Sequence, residues 1–317
     1  MFSRQMNQIR IDLSITPNGP LLIRSGRQGA DPTRPNLECV RTTVDGAPSV
    51  FIPGSSLKGV SRAHAERLMR SEGLEITDTF ERSQAFRQGA PGVETYSKSC
   101  PLGRTFGNLH VKGHVSVSDL IPGGHAPPGS DERTAELAKA NAVEQRNGVG
   151  IDRLLGSAST GALFDEEAVV QGRFDGRILL RNVQLYQLAL VLLVLRDLDE
   201  GFLQLGSSTT RGHGFVRADI RSITVESRRG KSPEGHLLGL GELLPDAVDA
   251  YRLVGEDRVE LPAGLRPTPK LMWDRLVVPG DRVDDFAEAL VEGPWIHFLG
   301  KVLEWQAQQK GERIWAA

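Results

Sequence analysis

Ile9, Ile11, Leu13 and Ile15 alternate with Arg10, Asp12, Ser14 and Thr16, the period-two pattern of a strand with one face buried. From Asn18 to Pro35 the pattern dissolves into Gly, Pro and Arg, which reads as a basic loop carrying Arg24, Arg27 and Arg34. Val50-Phe51-Ile52 leads into Pro53-Gly54, and Leu57, Val60, His64 and Leu68 then recur at helical spacing. Ser55 or Ser56 is expected to cap that helix by accepting from its free N–H groups. Gly73 to Pro101 shows no period and reads as an irregular insertion. His110 to Ser118 resumes strand alternation through Val111, Val115 and Val117, and Asp131 to Glu144 reads as a short helix. The segment from Gly148 to Gly172, rich in small residues, fits a protruding hairpin. Phe174, Ile178 and Leu180 mark another strand, followed by the most apolar helix of the chain, Leu185 to Leu198. Leu205 to Gly214 is a glycine, hydroxyl and basic loop that opens into a strand from Phe215 to Val225.

Stripped of insertions, the order is strand, helix, strands, then strand, helix, strand. The expected class is therefore α+β, a modified ferredoxin-like (RRM-like) βαββαβ domain with insertions that include a hairpin. The sequence predicts this domain over residues 1–227 with the hairpin insertion at about 145–173, a linker at 228–233, and a C-terminal extension over 234–317. No strand carries the aromatic stacking pattern by which RRM sheets bind RNA, so that open-faced mode is not expected.

Composition narrows the class without fixing the function. The 317 residues are 39% hydrophobic and 25% charged with a formal charge of -2, which describes a globular chain and excludes a global polycation. Nucleic-acid binding would need a local basic surface. Two cysteines, Cys39 and Cys100, argue against a disulfide framework and fit a reducing cytoplasm. No secretion signal is read at Met1-Phe2-Ser3-Arg4-Gln5, and the longest apolar run, Leu188 to Leu195, is too short to span a bilayer.

The candidate chemistry concentrates at two corners. A helix start beside Ser55 and Ser56, with Lys58 one turn in and Arg62, Glu66 and Arg70 at further steps of four, makes an anion site suited to phosphate. The same residues also describe an ordinary capped helix with a solvated charged face. The second corner is the 205–214 loop with Arg211 and His213, where glycines let consecutive N–H groups face an anion. Ser55-Ser56-Leu57-Lys58 also satisfies S-x-x-K, the nucleophile motif of serine acyl-enzymes, although no K-T-G follows. A P-loop is excluded because Gly-Lys-Ser/Thr is absent at the required spacing.

With Ile52-Pro53-Gly54-Ser55-Ser56-Leu57-Lys58-Gly59 and Arg62, Arg104-Thr105-Phe106-Gly107, Ile151-Asp152-Arg153 and the Gly206 to Val216 loop in family order, the chain resembles the RAMP superfamily of CRISPR-associated proteins. The likeness extends over roughly residues 7–226 and is to the backbone subunit of type III effector complexes, the D-like branch included. It implies a cytoplasmic subunit that polymerises along a guide RNA by phosphate and ribose contacts, and whose hairpin "thumb" separates guide from target RNA. Partners so implied are guide RNA, target RNA and other effector subunits, copies of itself among them. The RNA-binding positions implied are Ser55, Ser56, Lys58, Arg62, Arg153, Arg211 and His213. Many such subunits cut target RNA with an aspartate before the glycine-serine motif and a divalent metal, magnesium or manganese. Here Asn36 stands near the expected acid, and Asn can neither act as a carboxylate base nor bring charge to a hard metal. Asp31 and Glu38 are the nearby substitutes. Zinc is not expected: Cys100-Pro101-Leu102-Gly103 offers one thiol, and His110 and His114 lie in a strand-like segment as ordinary neighbours.

Overall fold

A computed structural model of the chain describes residues 4–26, 35–77, 91–152, 154–308 and 315, with 158–163 described through their backbone alone. Strand β1 (Asn7–Pro17) buries Ile9, Ile11, Leu13 and Ile15, as the alternation predicts, and turns Gln8, Arg10 and Asp12 to the other face. Next comes a hairpin of β2 (Arg41–Val44) and β3 (Ala47–Val50). Its turn is Asp45-Gly46, both at positive φ (50° and 86°), the tight turn that Asp-Gly favours. Helix α1 (Gly54–Ser71) follows.

Where an irregular insertion is expected, the described residues form α2 (Gly92–Lys98), and α3 (Pro101–Phe106) starts at its last residue. The strand expected from His110 shrinks to β4 (Val115–Val117). Before it the chain turns tightly, because Asn108 Oδ1 accepts the N–H groups of His110 and Val111. Gly113 then passes so close to Phe106 that a Cβ would lie 2.3 Å from its carbonyl carbon. β5 (Ile121–Pro122) and α4 (Asp131–Asn141) lead to the hairpin of β6 (Glu144–Ile151) and β7 (Ala158–Ala168).

β8 (Phe174–Arg181), α5 (Leu185–Asp199) and β9 (Val216–Arg228) come next. A capping box formed by Gln184 and Gln187 opens α5. The chain closes with β10 (His236–Leu238), α6 (Leu240–Leu243), α7 (Val248–Tyr251), β11 (Arg258–Glu260), β12 (Thr268–Lys270), β13 (Trp273–Pro279) and α8 (Val283–Leu290). A π-helical turn, Val291–Trp295, joins α8 to α9 (Ile296–Gln308).

The main sheet runs β12-β13-β9-β1-β8-β4, with β5 also on β8. Four of its strands, β9-β1-β8-β4, are antiparallel throughout, and α1 and α5 supply the two crossovers, which is the split βαβ order. α5 is buried almost all round because it packs against α1, β9 and α8. His64 on α1 reaches Asp197 on α5 at 2.6 Å. The opposite sheet face is polar: Asp12 takes ion pairs from Arg10 (3.0 Å) and Arg177 (3.2 Å), and Glu226 takes one from Arg275.

The described residues beyond 234 pack into this same core. β13 pairs with β9 along its whole length, from Trp273↔Arg228 to Pro279↔Ser222. Leu276, Val278, Phe286, Leu290, Trp295 and Phe298 join the same buried cluster as Ile11 and Leu192.

Candidate nucleic-acid interface

The first corner is the start of α1. Gly54 is required there, since a Cβ would lie 2.4 Å from the Val117 carbonyl oxygen and 2.7 Å from that of Ser118. The N-cap is Pro53, and no side chain caps the helix from that position. Neither Ser55 nor Ser56 therefore takes the capping role expected of it. Asp119 Oδ1 instead accepts the Gly54 N–H at 2.8 Å, so a carboxylate of the chain itself stands at the positive helix end. Ser55 remains exposed and Ser56 half-buried on the first turn.

Lys58 and Arg62 are both half-buried. Lys58 Nζ donates to the Val115 carbonyl at 2.9 Å, and burial, with Arg62 nearby, lowers its pKa. Arg62 donates to the Gly107 carbonyl. Lys58 Nζ has N–H donors beyond the one it gives to the Val115 carbonyl. Further along, Glu66 and Arg70 pair at 2.8 Å. Lys58 Nζ is thus turned toward β4, which gives no support to a Lys base for a Ser55 nucleophile. Arg104, one of the residues that carry the family likeness, is buried and donates to the carbonyls of Ser97, Ser99 and Arg252.

The second corner is the 205–214 loop. Gly206 and Gly214 stand at φ 91° and 87°, and a Cβ on either would lie 2.4 Å from a backbone oxygen, of Leu22 and Leu205 respectively. Ser207 N–H donates to Leu22 and Gly214 N–H to Pro20, so the loop is laid on the segment that leaves β1. His213, expected to bind RNA, is instead buried against the hairpin: it is 3% exposed, with Nε2 3.4 Å from Glu166. Ser208 Oγ donates to the other Glu166 oxygen at 3.0 Å. Arg211 is exposed, its guanidinium 4.7 Å above the ring of Phe164, which pairs with Gly148 midway along the β6–β7 hairpin.

Both corners stand at one end of the sheet, where β1 ends against the start of β9 (Pro17↔Val216) and where Ile52 bridges Leu120 beside β5. The segment around Leu21 and Leu22 runs between the β7 base, by the Leu21↔Val169 bridge, and the glycine loop. The hairpin rises from the same region. Its tip exposes Leu154 (96%) and Leu155 (79%), whose N–H groups are held by Asp152 Oδ1 at 2.7 and 3.0 Å. Arg153 and Asp31 lie outside the described residues.

Asn36 lies against β7, its N–H donating to Asp165 Oδ1 at 2.9 Å, and Asp165 Oδ2 accepts from Gln145. Those bonds hold the Asp165 carboxyl below its ordinary range, the Asn36 N–H first among them. Glu38 is half-buried, Cys39 is buried with its thiol pushed up to about 12 by burial, and Arg41 pairs with Glu167 at 2.9 Å. A magnesium or manganese ion takes several oxygens. Asp165 alone, already engaged twice, does not make such a site among the described residues. For zinc the donors are likewise taken up by the fold: Cys100 Sγ accepts the Gly103 N–H, and His114 sits between Tyr96 Oη (2.8 Å) and the Arg181 carbonyl (2.7 Å). His110 is exposed, and the described residues contain no cluster of three or more His, Cys, Asp or Glu placed to hold a metal.

Asp119, Phe164 and Glu166, which shape both corners, escape the sequence reading. Asp119 is visible there only as part of Ser118-Asp119-Leu120, and Glu166 lies inside the hairpin segment, 42 residues before the Ser208 it holds.

Among the described residues no helix is long and apolar enough to cross a membrane. No curated protein matches the chain. Among solved structures, a chain of a "Type IV-B CRISPR Complex" is similar at 21% identity and a TM-score of 0.45, over 67% of this chain and 90% of that one. The family model of the RAMP superfamily matches residues 14–217, which include both corners and the hairpin. The chain belongs to the RAMP superfamily.

Proposed function

We propose that this chain is the guide-RNA-binding backbone subunit of a CRISPR effector complex, assembling with copies of itself and with other subunits and positioning a target RNA. The observation that carries the reading is the gathering of two glycine-and-hydroxyl corners and an apolar-tipped hairpin at one end of the sheet. Ser55, Ser56 and Arg211 offer hydroxyls and a cation at the surface, with Lys58 and Arg62 behind them. Such groups grip phosphate and ribose and carry no base information. The leucine tip is suited to part stacked bases. Asn36 and the singly placed Asp165 favour a subunit that holds RNA over one that cuts it.

The test is fluorescence anisotropy of the nuclease-treated chain with labelled single-stranded RNAs of unrelated sequence over a salt series. Arg211→Ala is expected to weaken all of them alike and to reduce the log–log salt slope by about 0.7, one single-strand phosphate contact. Sequence-selective loss, or no loss, overturns the assignment of Arg211. In the same assay with magnesium or manganese the RNA is expected to remain uncut.

A further inference from the structure

Between the second half of α5, the first half of β9 and α8 lies a groove of about 690 Å³. It exists because β13 leaves β9 at Ser222, so Arg217 to Ile220 have no strand on that side among the described residues. Asp199 Oδ1 accepts the Ala218 N–H at 2.9 Å, capping this open edge against a further strand. The floor is apolar, with Leu193, Ile220, Ala287 and Val291 half-buried. The rim is acidic: Asp199, Glu200 and Asp219 on one side face Asp284, Glu288 and Glu292 on the other. Only two guanidiniums line it, Arg196 and Arg217, and Arg196 is paired with Asp197 at 2.7 Å.

The complement of this groove is on the same chain. The β12–β13 hairpin ends in Leu271 and Met272, 84% and 66% exposed, side by side on a tight turn. Around them stand the exposed cations Lys270, Arg228, Arg229 and Lys231, with the Arg229 guanidinium donating to the Leu271 carbonyl. Of the nearby carboxylates, Asp274 accepts the Gly230 N–H, and Glu226, close to Lys270, is paired with Arg275. Large exposed apolar pairs set in like charge mark association surfaces. Groove and tip sit at opposite ends of β9, roughly 35 Å apart at strand rise, with the tip fixed by β13 pairing, so one molecule cannot fill its own groove.

We infer that the groove receives the β12–β13 tip of a second copy of this chain, Leu271 and Met272 over the apolar floor and the four cations against the acidic rim. Such a contact is heterologous and propagates copies head to tail. The tip and α8 both lie beyond residue 217, outside the segment matched to the family. The inference deepens the assembly half of the proposed function, on which it rests, and its test uses no RNA, so either can fail alone.

The experiment is sedimentation velocity on the nuclease-treated full chain. Wild type is expected to self-associate with rising concentration and less so with rising salt. The tip variant Leu271→Asp/Met272→Asp and the groove variant Asp284→Lys/Glu288→Lys, all at exposed positions, are each expected to weaken association about tenfold or more, with circular dichroism unchanged. A mixture of the two is expected to give a one-to-one dimer and nothing longer, because each supplies the half the other lacks. A monomeric wild type, variants that associate like wild type, or a mixture that stays monomeric overturns the contact. Association that requires added RNA and ignores both variants overturns it too, while leaving RNA binding standing.

Discussion

Two buried titratable groups set opposite pH responses. Asp257 holds the α6 segment to the start of α5, accepting N–H from Leu185 (2.9 Å) and Gly241 (3.0 Å). Burial outweighs those bonds and pushes its carboxyl from 3.8 up to about 7. Between those values the folded chain keeps a proton that the unfolded chain has released, so this group favours the fold below pH 4 and loses that contribution as pH rises through 7. His114 is pushed by burial from 6.5 down to about 4. There the unfolded chain takes the proton first, so the contribution is present above 6.5 and is lost as pH falls through 4. In wild type the two oppose each other across much of the same window. Asp257→Asn is therefore expected to make the melting temperature fall more steeply on acidification, and His114→Gln less steeply. The curves of the two variants should diverge by several degrees, since 1 kcal/mol moves melting by about 2–4 °C in a sizeable domain. Thermal melts from neutral pH to about pH 4.5 check this, and parallel curves count against both assignments.

At the scale of an element, α1 separates two glycines that look alike in the sequence. Gly54 abuts backbone oxygens of β4 and the residue after it, which cannot swing aside. Gly54→Ala is expected to cost about 2 kcal/mol or more, as overpacking against a fixed neighbour does. Gly59 lies in the helix interior, exposed, with nothing within 4 Å of a built Cβ. Gly59→Ala is expected to stabilise by about 0.5–1 kcal/mol through helix propensity. Urea unfolding of both variants measures the contrast, and equal effects would mean that α1 does not start against β4. The helix itself is legible in the sequence, as are β1, β8, α4, α5 and the β6–β7 hairpin, because each depends on a period or a turn signal within its own span. The cap of α1 is not legible, since Asp119 arrives from 65 residues away. Nor is the burial of His213, which depends on Glu166 from another element. β4 reads too long because Val111 continues an alternation that Gly107, Asn108 and Gly113 interrupt by folding back.

For the whole molecule, the question is whether the family's segment can stand without the residues that follow it. β13 pairs seven residues with β9, and the region after it lays Phe286, Leu290, Trp295 and Phe298 against α5, with Phe298 stacked on Tyr186 at a centroid distance of 3.7 Å. α5 is apolar on nearly every side. Its outward face is satisfied only because the C-terminal segment covers it. Burying each of those large side chains contributes about 1.5–3 kcal/mol, so losing all four is comparable to the roughly 5–15 kcal/mol by which a domain is stable. Truncation after residue 233 is therefore expected to give a chain that aggregates or lacks a cooperative melt, even though it retains the whole matched segment. Phe298→Ala in the full chain is the graded version and is expected to cost about 3–5 kcal/mol. Denaturant unfolding and near-UV circular dichroism read both. A 1–233 chain that melts sharply would show that the sheet closes without β13, and the C-terminal segment would then be a cover free to serve other contacts. If instead the truncated chain fails as expected, the hairpin tip and α8 are held rigidly by the same core as the two corners, and any partner docked there is fixed in register with whatever the corners hold.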